Sequence, residues 1–89
     1  MSDSYKIIVK GRVQGVWFRK YTKSKAESLG LNGYVQNEPN GDVRVEVSGE
    51  ATSLAQFIEW LHEGSPLSKV DEVRVDPGDD TFKGFQIRY

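Results

Sequence analysis

The chain has 89 residues, 12 basic against 13 acidic side chains, one His and no Cys, which fits one small domain over residues 1–89 whose core must be efficient. Without Cys there is no disulfide scaffold, Cys-ligated zinc, iron–sulfur cluster or thiol nucleophile, and one His cannot make a multi-His metal site within one chain. A net charge of −1 gives no global field toward nucleic acid or anionic membrane, no apolar run approaches the ~18 residues of a membrane span, and Met1-Ser2-Asp3-Ser4 lacks a signal-peptide pattern, so the expectation is a soluble, cytoplasmic domain.

In chain order, Tyr5, Ile7 and Val9 alternate as one face of a first strand. Gly11 to Val16 is a glycine-punctuated loop. From Phe18 the apolar period becomes helical, through Tyr21 or Thr22, Ala26 and Leu29, and Gly30 stands where a C-cap glycine belongs. Leu31 to Gln36 reads as a second strand, Pro39-Asn40-Gly41 as a turn, and Val43, Val45 and Val47 as a hairpin partner whose Arg44, Glu46 and Ser48 form a wet face. Ser53 and Gln56 have capping-box spacing, opening a second helix with Leu54, Phe57, Ile58 and Leu61 on its apolar side; Gly64 and Pro66 close it. Val70, Val73 and Val75 suggest a fourth strand, either an exposed edge or covered by the last strand. Asp76 to Asp80 is a polar turn, and Phe85, Ile87 and Tyr89 alternate to the end. The β-α-β-β-α-β order with a short extra C-terminal strand predicts an α+β, ferredoxin-like sandwich: an antiparallel sheet with two helices on one face.

Two segments can carry chemistry. Gly11-Arg12-Val13-Gln14-Gly15-Val16-Trp17-Phe18-Arg19 joins a strand to a helix N-terminus, where unpaired N–H groups and the helix dipole suit an anion. Arg19 falls in the first helical turn, a position the dipole disfavours for a cation, and its planar guanidinium can grip two phosphate oxygens. The same glycines suit any β-to-α turn, so this stretch alone leaves a phosphate cradle and a bare turn both open; it is neither a Walker A loop nor GxGxxG. Asn37, ending the second strand, offers an acceptor and a donor that can hold a water, or else is ordinary turn punctuation.

Other candidates read as structure. His62 has no partner motif and sits near a helix C-terminus. Asp76, Asp79 and Asp80 fit no EF-hand loop, and Lys20, Lys23 and Lys25 form a solvated helix face. Trp60 covers the border of the second helix, while Trp17 either anchors the loop or stands at a site mouth. Lys83 to Tyr89 partly resembles the RNP1 motif of RNA-recognition domains, but that motif belongs on a third strand. Val43 to Ser48 has no aromatic residue, so nucleic acid is not an expected partner.

Together the two segments resemble the acylphosphatase family. Val9 to Arg19 follows its first signature; Gly33-Tyr34-Val35-Gln36-Asn37, with Gly41, Asp42-Val43 and Gly49, follows its second. The resemblance implies a metal-free, cofactor-free hydrolase that cleaves acyl phosphates into a carboxylate and inorganic phosphate. In it Arg19 is the catalytic arginine, the backbone amides of Gln14, Gly15, Val16, Trp17 and Phe18 complete the phosphate cradle, and Asn37 orients the attacking water. Tyr34, Trp17 and Phe18 are open as acyl contacts or as packing, and Glu38, on the opposite strand face from Asn37, is a poor candidate for the general base. A monomer suffices for this chemistry. A non-catalytic module of the same fold is the competing class; the chain's limits, close to those of the domain, favour a free-standing enzyme.

Overall fold

The computed structural model describes residues 3–88; Met1 and Ser2, part of the leader reading, and Tyr89, part of the last alternation, lie outside the described residues. The elements run β1 (Asp3–Arg12), α1 (Phe18–Ser28), β2 (Asn32–Asn37), β3 (Val43–Gly49), α2 (Ala51–Glu63), β4 (Lys69–Pro77) and β5 (Phe85–Arg88). One sheet has the order β4-β1-β3-β2-β5. The four long strands pair antiparallel, whereas β5 runs parallel to β2. The fold is the expected α+β sandwich, but the extra strand makes the sheet mixed. It lies on the β2 edge, so β4 keeps an outer edge of its own. That edge carries Asp71, Glu72, Arg74, Asp76 and Pro77, residues that discourage strand addition.

The alternations in β1 and β3 hold. Ile7, Val9, Val43, Val45 and Val47 are fully buried beneath Phe18 and Ala26 of α1 and Leu54, Phe57 and Leu61 of α2. Each large side chain so buried contributes about 1.5–3 kcal/mol. In α1 Thr22, not Tyr21, faces inward; its hydroxyl donates to the Phe18 carbonyl at 2.7 Å while Tyr21 stays exposed. Trp60 bridges the helices, stacking on Phe18 and Phe57 with centroids 6.0 and 6.5 Å away.

Two local expectations fail. Helix α2 begins at Ala51 with Glu50 as its cap residue and no side-chain cap bond, so Ser53 and Gln56 lie inside the helix and form no capping box. The wet face of β3 is also not wet, since Glu46 and Ser48 are only 7% and 3% exposed. Tyr34 donates its hydroxyl proton to Glu46 Oε2, and Arg44 donates to the same oxygen from Nε at 3.0 Å and Nη2 at 2.8 Å. Phe82 packs edge-on against the Tyr34 ring, and the Arg88 guanidinium lies 3.8 Å from that ring's centroid. Alternation along β3 cannot report a cover completed by Tyr34 of the neighbouring strand and by Phe82 and Arg88 near the end of the chain.

This cluster has a pH signature. Burial works to raise the Glu46 carboxyl, but hydrogen bonds from Tyr34 and Arg44 outweigh it and hold it below its ordinary value of 4.5. The folded protein thus binds fewer protons at Glu46 than the unfolded chain. The stabilisation is complete above that unfolded value and fades as pH falls through the lower folded one. Glu46→Gln is expected to cost about 1–2 kcal/mol near neutrality through its weakened charged hydrogen bonds, and to show a shallower loss of stability below pH 4.5. Parallel urea-midpoint curves for the two proteins between pH 3 and 6 would refute this.

Candidate active site

The loop after β1 is anchored by its apolar side chains. Val13, Val16 and Phe18 are buried and pin the segment to the core, leaving Gln14, Gly15 and Trp17 on its outer side. Ser65, following α2, donates to the Val16 carbonyl at 2.9 Å within the interior. Gly15 and Trp17 both have positive φ, 71° and 61°. For Trp17, the cap residue of α1, that is a strained conformation held by its surroundings. A Cβ on Gly15 would meet nothing within 4 Å, so the loop backbone is open to a ligand there. Among the described residues, no backbone N–H from Gln14 to Phe18 donates to another residue.

Arg19 stands in the first turn of α1, where no acidic residue accompanies it. Its Nη1 donates to the Arg88 carbonyl of β5 at 3.3 Å, so the last strand helps to set the guanidinium. Asn37 ends β2 opposite Val43 and, two residues beyond Val35, shares the helix-side face of the sheet. Its Oδ1 is buried with no hydrogen-bond partner. Arg19, Asn37, Gly15, Trp17, Lys20 and Ile87 meet on one cleft of about 650 Å³. Lys23 and Glu27 lie further along α1 on the same wall. Lys20 and Lys23 therefore line the cleft rather than a purely solvated face, and Lys20 Nζ sits 5.6 Å from the Trp17 ring centroid.

Of the residues expected at the site, Gly15, Trp17, Phe18, Arg19 and Asn37 line this cleft. Val16 is turned into the core, and Gln14 reaches away from the cleft to the β2–β3 turn. Tyr34 lies on the opposite sheet face with Glu46 and is no acyl contact. Phe18 is 1% exposed and is packing; Trp17, 66% exposed, stands at the mouth. Neither Glu38 nor His62 lines the cleft, and the described residues contain no group of three or more His, Asp or Glu able to hold a metal. Sequence reading missed Ser65, the Arg88 carbonyl and the Gln14 carboxamide: each acts through a tertiary contact that leaves no local pattern.

The acylphosphatase family model matches residues 5–87. The chain belongs to the acylphosphatase family. An acylphosphatase of Rubrobacter xylanophilus is 41% identical over 85 residues, covering 93% of this chain and 77% of the relative. The crystal structure of an acylphosphatase from Bacillus subtilis superposes over the whole of both chains with a TM-score of 0.94 at 37% identity. A full-length HypF protein, solved in a phosphate- and nucleotide-bound form, matches at TM-score 0.89 and 29% identity, with this chain spanning 12% of it. The acylphosphatase activity follows: hydrolysis of acyl phosphates to a carboxylate and inorganic phosphate. No helix of the described residues is long and apolar enough to cross a membrane.

Proposed function

We propose that the backbone amides of Gln14 to Phe18 and the Arg19 guanidinium hold the transferred phosphoryl group, while Asn37 orients the attacking water. The observation that carries this reading is the buried, unpartnered Asn37 Oδ1 on the same cleft as Arg19 and the loop. A buried acceptor without a partner costs stability unless something fills it, and a water bound there can donate one proton to Asn37.

Water oxygen forms the new bond to phosphorus as the bond from phosphorus to the acyl oxygen breaks, with its electron pair leaving on the carboxylate. The water proton that is not donated to Asn37 passes to a phosphoryl oxygen, so the products are carboxylate and protonated phosphate. Negative charge spreads over the equatorial oxygens of a loose transition state, and amides with a guanidinium stabilise it there. A carboxylate needs no protonation to leave, so the site requires no general acid. No metal or cofactor enters the scheme, and every group invoked comes from one chain, consistent with a monomer. A chain without Cys suits the reducing cytoplasm, where we place it.

The test is benzoyl phosphate hydrolysis in EDTA by wild type and Asn37→Ala. The expected result is EDTA-resistant turnover, with kcat reduced about 10²–10³-fold in the variant and competitive inhibition by inorganic phosphate changed less than about threefold. Equal losses in turnover and in phosphate binding would remove Asn37 from the water-orienting role. Loss of wild-type activity in EDTA would remove metal independence.

A further inference from the structure

Gln14 occupies the phosphate loop, yet its side chain does not face the cleft. Its Nε2 donates at 2.8 Å to the Glu38 carbonyl and at 2.8 Å to the Asp42 carbonyl. Both acceptors are carbonyl oxygens, so the nitrogen end of the carboxamide is the end that fits, and both its protons are used. The same two carbonyls close the β2–β3 turn: the Glu38 carbonyl accepts from Gly41 N at 3.1 Å, and the Asp42 carbonyl accepts from Glu38 N at 2.8 Å. Lys10, near the end of β1, reinforces the turn by donating to Asp42 Oδ2 at 2.8 Å.

From this geometry we infer that Gln14 is a positioning residue: its carboxamide sets the separation between the phosphate loop and the Asn37-bound water. Asn37 is the residue immediately before Glu38. Strand β1, which delivers the loop, pairs with β3 and not with β2, so the sheet connects the loop to Asn37 only through an intervening strand. The Gln14 bonds join the two directly, across 24 and 28 residues of chain. In a reaction that depends on placing water in line with phosphorus, a displacement of about 1 Å can cost about 10²-fold in rate. The inference rests on the proposed role of Asn37, and its test separates the two.

The experiment measures benzoyl phosphate kinetics and phosphate inhibition for wild type, Gln14→Ala, Gln14→Glu, Asn37→Ala and Gln14→Ala/Asn37→Ala, each folded by circular dichroism. Gln14→Ala is expected to lower kcat about 10–100-fold, with phosphate inhibition within about threefold of wild type. In the Asn37→Ala background the same change is expected to cost less than about threefold, because the residue it positions is gone. Gln14→Glu presents an acceptor to two carbonyls at neutral pH. Below about pH 5 its carboxyl takes up a proton and regains one donor, so its kcat relative to wild type rises there, and that of Gln14→Ala does not. A Gln14→Ala protein that melts below the assay temperature is replaced by Gln14→Asn, which keeps the donors but falls one methylene short. Additive losses in the double variant, unchanged kcat in Gln14→Ala, or phosphate binding lost in step with kcat would each overturn the inference. An unimpaired Asn37→Ala would instead bring down the Asn37 assignment and the positioning role with it.

Discussion

Arg19→Ala is expected to lower kcat/KM for benzoyl phosphate by about 10³-fold or more while the protein stays folded. Arg19 occupies a position chosen against local electrostatics. A cation in the first turn of a helix opposes the macrodipole by about 0.3–1 kcal/mol, and α1 has no acidic residue there to offset it. The loop N–H groups add positive potential at the same place. An anion reverses the sign of every one of these terms, and the phosphoryl group carries more negative charge on its equatorial oxygens in the transition state than a neutral ligand would ever present. Removing the guanidinium therefore weakens both ground-state binding and transition-state stabilisation, so phosphate inhibition is expected to weaken about tenfold along with the larger loss in kcat. Arg19→Lys keeps the charge without the planar fork and is expected to recover phosphate binding better than turnover. A folded Arg19→Ala protein keeping a tenth of wild-type kcat/KM would eliminate this role.

The contact between Arg19 and β5 gives the last strand a part in the site. Parallel pairing with β2 brings Arg88 opposite Gln36, one residue before Asn37. The Arg88 carbonyl accepts from Arg19 on one side of the sheet, and its guanidinium covers Tyr34 on the other. The Tyr34–Glu46–Arg44 cluster, absent from the lining of the cleft, thus fixes the strand whose carbonyl accepts from Arg19. The cluster belongs to the architecture of the site although none of its members lines it.

The parts of this molecule legible in the sequence are those decided by short-range periodicity. Val43, Val45 and Val47 alternate and are buried; Phe18 and Ala26 fall on one helical stripe and pack inward. The two loop signatures are joined into one site by their resemblance to the acylphosphatase family rather than by periodicity, and the structure brings Gly15, Arg19 and Asn37 to one cleft. What escaped was set by contacts between distant segments. Glu46 looks like solvent-facing alternation until Tyr34, Arg44 and Phe82 close over it. Gln14 reads as one more loop amide because its two acceptors come from another hairpin. Ser53 and Gln56 match a capping box by spacing, but the chain enters the helix at Ala51, and the spacing is then only a coincidence inside a turn. The direction of β5 was illegible because four residues alternate identically in parallel and antiparallel pairing.

Gly33→Ala is expected to destabilise the protein by about 4 kcal/mol or more, a large share of the stability usual for a domain of this length. Gly33 has φ 148° near the start of β2, and a Cβ built there would stand 1.9 Å from the Glu46 carbonyl oxygen and 2.9 Å from Val47 Cα. Those neighbours are backbone, so no side-chain rotamer can relieve the clash; the β2–β3 pairing itself has to open. Such an opening takes the Glu46 carboxylate from Tyr34, and it shifts Asn37, four residues along the same strand. The contrasting change is Gly15→Ala, where φ is 71° but the space is empty. There the backbone strain is about 1–2 kcal/mol and the methyl projects where the phosphoryl group is proposed to sit, so activity should fall much more than stability. Urea titrations paired with benzoyl phosphate rates distinguish the two glycines. An unchanged denaturation midpoint in Gly33→Ala would mean that β2 and β3 can separate by about 1 Å without loss, and would contradict the close backbone approach on which the register of Asn37 depends.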